Sequence, residues 1–494
     1  MPEAAPPDFL ASLGVQPGFW MDGRWQDGGG EGVAVGNPAT GAVLATVPAG
    51  SADDFRRAID GAHRAFPRWS REPKAFRGDI LKRTAALMLA KRKLLAEVIT
   101  REQGKPLAQA LGEVDYSASF FQWFGEEARR AGGRLQAHPE RGRQYLVTQV
   151  PAGVAGLITP WNFPLAQGSK KVAAALAAGC TVVWKPSELT PLVALALGPI
   201  LQEAGLPEGV VQIIPAYGPA AGHALTEDIR VRVLSLTGST RTGRYLLEAS
   251  AKHIQRVALE LGGNAPFVVL PDADLDRTAD DLVKLKLLVS GQVCVTANRV
   301  YVPDALEAAF TEKLAQRWKT LRVGNGMSAG MDGGPLIHAQ ACERVRGAVA
   351  GAVKAGATLV AENRSHEQDP DSARGSYSPP TILRGVQDAM PLVQEEIFGP
   401  VVPLLTYTEI DDVVRRANAT PYGLAAYVYG TDLVVANRVA AALEAGIVGV
   451  NEWRPLRAEI PFGGVKYSGL GSEGGEEGIR EFSHPKVIAT GALD

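Results

Sequence analysis

The chain of 494 residues has little of what marks several common protein classes. Its three cysteines are too few, and odd in number, for a disulfide framework, so a reducing cytoplasm is the expected compartment. Seven histidines show no pairing at metal-ligand spacing, and no metal is expected. Neither sign of charge is in excess. With 51 Lys+Arg against 53 Asp+Glu the formal net charge is −2, which gives no footprint for nucleic acid or an anionic membrane. Long hydrophobic runs are missing too: Val172–Trp184, flanked by lysines, is too short to span a bilayer. The longer uncharged stretch Tyr145–Ser169 is broken by Pro151, Pro160 and Pro164 and reads as strands and turns. At the N-terminus, Met1 to Asp8 carries acids where a secretory signal carries lysines.

What is present is globular: 46% hydrophobic and 21% charged residues, in a length that predicts about three domains or lobes. The first 50 residues read as an irregular Gly- and Pro-rich segment with short strands, and Ser51 to about Ala131 as helical, with Ser51 as an N-cap. Strands and helices then alternate. Thr181–Trp184, Val210–Ile214, Val231–Leu236 and Arg256–Glu260 are strands, separated by helices at Pro191–Gly205 and Arg244–Lys252. This spacing predicts a parallel, doubly wound sheet. A second α/β unit runs from Phe267 to about Val450, and the Glu362–Ser378 loop is expected to be polar and exposed.

Several residues have the chemistry of a site. Gly238 and Ser239 lie between a strand and a helix, where free N–H groups and the helix dipole suit a phosphate, or where Ser239 is simply an N-cap. Lys185, Ser187 and Glu188 follow a parallel strand; Lys and Glu three apart can bond ribose hydroxyls or form a solvated pair. A carboxylate there repels a 2′-phosphate, which favours NAD over NADP. Cys294, in Gly291-Gln-Val-Cys, sits in a tight loop where a thiol can be a nucleophile and its own N–H an oxyanion donor, or an inert buried residue. Cys180 and Cys342 are expected to be structural. Glu260 ends a strand before Leu261-Gly262-Gly263, suited to a general base or to a surface acid. Asn162, in Pro160-Trp-Asn-Phe-Pro164, offers an amide N–H or a turn residue.

Taken in order, these motifs identify a resemblance. Asn37-Pro-Ala-Thr-Gly41, Gln103-Gly-Lys-Pro106, Pro160–Pro164, Lys185–Glu188, Thr237–Thr240, Glu260–Gly263, Gly291–Cys294, Glu395–Pro400 and Pro461–Gly464 resemble the NAD(P)-dependent, non-phosphorylating aldehyde dehydrogenase superfamily from about Asn37 to Pro485. The resemblance implies an α/β fold: two doubly wound parallel-sheet domains plus a small β oligomerisation arm. It places the cofactor-binding domain at residues 1–130 and 152–263, the catalytic domain at 264–470, and the arm at 131–151 and 471–494, with a homodimer or homotetramer. It implies Cys294 as nucleophile, Glu260 as base, Asn162 in the oxyanion hole and Lys171 close by. Cofactor contacts fall on Trp161, Lys185, Ser187, Glu188, Gly238, Ser239, Leu261, Glu396 and Phe398, with NAD, or alternatively NADP, bound.

In texture the chain is most similar to succinate-semialdehyde dehydrogenases, through Asp115–Arg129 and Val448–Glu452. That group grips a distal carboxylate with two arginines and a serine. Here those positions hold Lys170, Leu288 and Leu456, and leucine offers no bidentate fork. A funnel of Phe124, Leu165, Leu288 and Leu456 therefore points to a neutral aliphatic or aromatic aldehyde. A semialdehyde acid is the alternative, with Lys170, Arg454 or Arg457 as the grip. A phosphate-dependent reductase of the same superfamily, or a non-catalytic oligomeric binding protein on the same fold, are the other readings.

Overall fold

In the computed structural model, residues 8–491 are described apart from 29, 141 and 369. Most of the acid-bearing N-terminal stretch, residues 1–7, therefore lies outside the described residues. The alternating middle of the chain builds an eight-stranded sheet. Its parallel centre runs Arg256–Glu260, Val231–Thr237, Val154–Ile158, Thr181–Lys185 and Val211–Ile213. Antiparallel strands close both edges: Gly469–Leu470 beside Arg256–Glu260, and the hairpin Phe19–Met21/Arg24–Gln26 beside Val211–Ile213. Every residue of Thr181–Lys185 is buried, as a strand covered on both faces requires.

A second sheet has seven strands in the order Thr358–Glu362, Thr381–Arg384, Val401–Tyr407, Ala297–Pro303, Ala265–Val269, Ala425–Tyr429 and Ile447–Val450. All its pairings are parallel except the first. A third, antiparallel sheet joins Arg134–Ala137, Gln144–Pro151 and the C-terminal strand Ser483–Thr490, with Ser483 opposite Pro151 and Thr490 opposite Gln144. Its apolar side chains Leu135, Leu146, Val487 and Ile488 are exposed. No helix among the described residues is long and apolar enough to cross a membrane.

Three expectations need correction. Phe124, on the helix Leu107–Arg130, is fully buried, stacked on Phe120 and packed against Gly478. Leu165, just before the helix Ala166–Ala178, is equally buried in the same core. Both side chains fill the space between helices and neither lines a cavity beside Cys294. The Glu362–Ser378 loop is only partly exposed. Asn363 donates to the Trp318 and Leu321 carbonyls at 2.7 and 3.0 Å, and the His366 ring stacks on Tyr377, so its polar groups satisfy a neighbouring helix end.

The helix Ala166–Ala178 lies so close to the first sheet that a methyl at Gly168 would stand 2.1 Å from the Trp184 ring. That ring is fully buried and its Nε1 donates to Thr159 Oγ1 at 2.9 Å, so it has nowhere to go. Gly168→Ala is expected to destabilise by about 1–3 kcal/mol despite the better helix propensity of alanine. A denaturant midpoint equal to wild type would contradict this packing.

Candidate active site

Cys294 follows a backbone that few sequences tolerate. After the helix Leu275–Leu287, Val289, Ser290 and Gly291 are all left-handed, with φ of 50°, 54° and 75°. Two of these are not glycine, a conformation that persists only where the surroundings fix it. Gln109 Oε1 accepts the Val289 N–H at 2.8 Å, while its amide donates to the Leu287 and Asp332 carbonyls. Ser290 Oγ donates to the Gly334 carbonyl and accepts the Gly334 N–H, at 2.8 and 3.0 Å. Gln292 spans from the Val289 carbonyl to the Ile337 N–H, each at 2.9 Å. The thiol is thereby carried to the boundary between two hollows.

One hollow is a chamber of about 390 Å³ walled by Phe163, Leu287, Leu288, Val293, Leu456 and Phe462 among others. The other is a cleft of about 580 Å³ bordered by Trp161, Gly238, Ser239, Leu261, Glu396 and Phe398. Cys294 and Gln167 border both. Burial pushes the thiol up to about 12; Glu396 and Glu260 add to the effect and Lys170 opposes it.

Asn162 is buried beside this loop. Its amide donates to the Gln292 carbonyl at 2.9 Å, leaving a second N–H free of that bond, and its Oδ1 has no partner among the described residues. Its backbone carbonyl accepts from Lys105 Nζ at 2.8 Å. Lys105 in turn pairs with Glu113, both side chains fully buried, and lies over the Phe163 ring. Burial holds the Lys105 ammonium below its usual range, with Glu113 opposing. Glu113 also accepts the Leu165 and Ala166 N–H groups at 3.0 and 3.1 Å, which fixes the start of the helix Ala166–Ala178.

Glu260 closes its strand opposite Thr237, and neither carboxylate oxygen has a hydrogen-bond partner among the described residues. Burial raises it well above the ordinary carboxylate range, and Glu473 adds to this; Lys170 and Lys171 oppose it. Glu473 bonds both lysines, Lys171 also donates to Ser235 Oγ at 3.0 Å, and Lys170 Nζ lies over the Phe462 ring. Burial works against charge on Glu473, but the two lysines hold it below the usual range. Burial also works against Lys170, which Glu473 nevertheless keeps above its usual value; Lys171 falls below it.

The cleft fits a dinucleotide. Ser239 caps the helix Thr240–Ser250 beside Gly238, and Lys185 Nζ meets Glu188 Oε2 at 2.9 Å at the end of its strand. Ser187 Oγ accepts the Leu189 N–H within the same turn. A methyl at Gly262 would stand 3.1 Å from Glu396 Oε2, so that side chain reaches the cleft over bare backbone. Burial raises Glu396 to about 7, against the Gly263 N–H that it accepts. Trp161 meets Phe398 edge-on at 5.5 Å. No cluster suited to a metal ion exists among the described residues.

The model of the aldehyde dehydrogenase family matches residues 25–488. The chain belongs to the aldehyde dehydrogenase family. It is 44% identical to a 3-sulfolactaldehyde dehydrogenase of Pseudomonas putida over the full length of both chains. It is 43% identical to an NADP-dependent succinate-semialdehyde dehydrogenase of Escherichia coli K12, over 95% of this chain and 97% of that one. A betaine aldehyde dehydrogenase from Staphylococcus aureus, solved with NAD+, superposes with a TM-score of 0.94 at 32% identity, covering 98% of this chain and 97% of the other. This chain is thus an NAD(P)-dependent aldehyde dehydrogenase, which sets the non-catalytic reading aside.

Within this aldehyde dehydrogenase the structure brings Cys294, Glu260, Asn162, Lys170 and Lys171 into one neighbourhood, and Leu288 and Leu456 to the chamber wall. Phe124 and Leu165 are not there, and Arg457 is exposed and does not border the chamber. Sequence reasoning missed Glu473, Lys105, Glu113 and Gln109. Only Lys105 carried a signal, as the lysine of Gln103-Gly-Lys-Pro106. Breaking one partner of the buried Lys105–Glu113 pair leaves the other charge unpaired. Lys105→Met is therefore expected to cost about 3–5 kcal/mol of stability, read by chemical denaturation. An unchanged midpoint would show that the pair is not charged.

Proposed function

We infer that the enzyme oxidises a short aldehyde bearing an acidic group at its far end to the carboxylic acid, through a covalent Cys294 adduct and with NAD preferred. The carrying observation is the position of Cys294 at the shared border of chamber and cleft, near a carboxylate whose oxygens bond nothing among the described residues. The Cys294 sulphur bonds the aldehyde carbon as its proton passes to a base. The free Asn162 N–H and the Cys294 backbone N–H are the donors for the resulting alkoxide; losing one such donor typically costs about 2.7–4 kcal/mol in barrier. A nicotinamide bound in the cleft supplies the hydride acceptor, with Glu396, Phe398 and Trp161 at that end and Gly238, Ser239, Lys185, Ser187 and Glu188 along the rest. Loss of hydride from the adduct leaves a thioester on Cys294. Glu260 takes a proton from water as that water bonds the acyl carbon, and the carbon–sulphur bond breaks to release the acid.

Two relatives are named for 3-sulfolactaldehyde and succinate semialdehyde, each a short aldehyde with a distal anion, which supports an acid-bearing substrate over the neutral one that the leucines suggested. The antiparallel arm with exposed Leu135, Leu146, Val487 and Ile488 supports a homo-oligomer. Three free thiols support a cytoplasmic enzyme.

Cys294→Ala is expected to abolish the NADH burst, and mass spectrometry of the quenched wild type to find an acyl adduct at that residue. Glu260→Gln is expected to keep a burst and lose roughly 10²–10⁴-fold in steady turnover. Because the Glu260 carboxyl is raised, its basic form is scarce at low pH and grows as pH rises past the ordinary carboxylate range. Wild-type turnover should rise over that window, and the glutamine variant should be flat. Full turnover in either variant would sink the assignment.

Cofactor choice tests separately. A carboxylate at position 188 disfavours a ribose phosphate by like-charge repulsion, so Glu188→Ser should move the NAD/NADP ratio of kcat/KM about tenfold towards NADP. An unmoved ratio places the discrimination elsewhere.

A further inference from the structure

Three cationic side chains border the apolar chamber: Lys170, Lys284 and Arg454. Lys170 is committed to Glu473, and Lys284 donates to Asp281 Oδ1 at 3.1 Å. Arg454 is exposed like Arg457 but borders the chamber, and among the described residues its guanidinium has no carboxylate and no hydrogen-bond acceptor. It reaches across to the helix Leu107–Arg130, where its Nη2 lies 3.8 Å from the place a methyl on Gly112 would occupy. One turn further along the same helix face, Tyr116 also borders the chamber. Burial pushes the Tyr116 phenol up to about 12; Lys170 is the larger opposing charge and Arg454 the smaller.

The segment carrying Arg454 is fastened. Glu452 Oε1 accepts the Arg454 backbone N–H at 2.6 Å, Asn451 bonds both the N–H and the carbonyl of Gly430, and Arg277 donates to the Asn451 carbonyl. The carboxylates nearest the chamber are occupied as well: Glu113 by Lys105, and Asp332 Oδ2 by the Arg322 N–H. An anion entering a wall of Leu287, Leu288, Val293, Leu456 and Phe462 loses its hydration and needs a paired cation to remain.

We propose that Arg454 is the residue that selects an acid-bearing aldehyde: its guanidinium, at the chamber wall beside Gly112, takes the terminal oxyanion while the aldehyde carbon lies at Cys294. This rests on the acid-bearing substrate inferred above. The grip comes from the 452–457 segment and not from position 288, so an apolar residue there does not exclude a charged tail. A carboxylate and a sulfonate share this chemistry, since each offers two oxygens to the guanidinium fork.

The test compares kcat and KM for succinate semialdehyde, 3-sulfopropanal and butanal at saturating NAD, in wild type, Arg454→Met and Arg454→Lys. Wild type is expected to favour at least one of the acids over butanal. Arg454→Met should raise KM for that acid roughly thirtyfold or more with kcat little changed, while butanal kinetics stay within about threefold and certify the fold. Arg454→Lys should recover part of the loss, having a charge without the fork. If wild type prefers neither acid, the substrate reading itself fails. If wild type prefers an acid and Arg454→Met keeps that preference, the substrate reading stands and the role of Arg454 is overturned.

Discussion

Gly263 lies against the carbonyl of Cys294 so closely that a methyl on it would stand 2.2 Å from that oxygen. Gly291 meets the Gly399 carbonyl at the same hypothetical distance. These contacts between bare backbones let the end of the strand Arg256–Glu260, the thiol loop and the segment carrying Glu396 and Phe398 converge. A side chain at either position would wedge them apart and separate the thiol from the carboxylate and from the cleft. The close approach is the condition on which the charges, the strained loop and the two hollows all depend.

Around that contact the protein sets two kinds of polar residue. Lys105, Glu113, Gln109 and Gln292 are satisfied and hold backbone in place. Among the described residues, the Glu260 carboxylate and the Oδ1 of Asn162 are buried without a hydrogen-bond partner, and the exposed Arg454 guanidinium pairs with no carboxylate. Burial raises Glu260 and the thiol because nothing nearby fully compensates the lost water. The paired lysines on Glu473 place positive charge close to Glu260 without giving it a hydrogen bond. The general-base role proposed for Glu260 fits that balance, since a fully satisfied carboxylate would be too weak to take a proton from water.

Much of this was legible in the chain. Strands such as Arg256–Glu260 announce themselves by short apolar runs between helices, and Cys294 by the Gly-Gln entry to its loop. The residues that hold the site were harder because their signals are not local. Glu473 is one acid among several in a Gly- and Glu-rich stretch, and its meaning comes only from Lys170 and Lys171, far away in sequence. Phe124 and Leu165 misled for the same reason: a large apolar side chain reads alike whether it faces a chamber or a core. Arg454 was one of three candidate grips with Lys170 and Arg457, and only the pairing of Lys170 and the absence of Arg457 from the chamber wall set it apart.

Glu473 and the C-terminal strand are neighbours along the chain, with only the helical turn Glu477–Glu481 between them. The strand is zipped along Gln144–Pro151, and Cys180 Sγ donates to the Phe482 carbonyl at the root of the zip. The tail thus passes the buried Glu473–lysine cluster before it emerges as an edge strand of the three-stranded sheet. Trimming it from the end would unpick the outer ribbon first and then cast loose the counter-ion of two buried lysines, so the last part of the polypeptide is a structural keystone and no dispensable appendage.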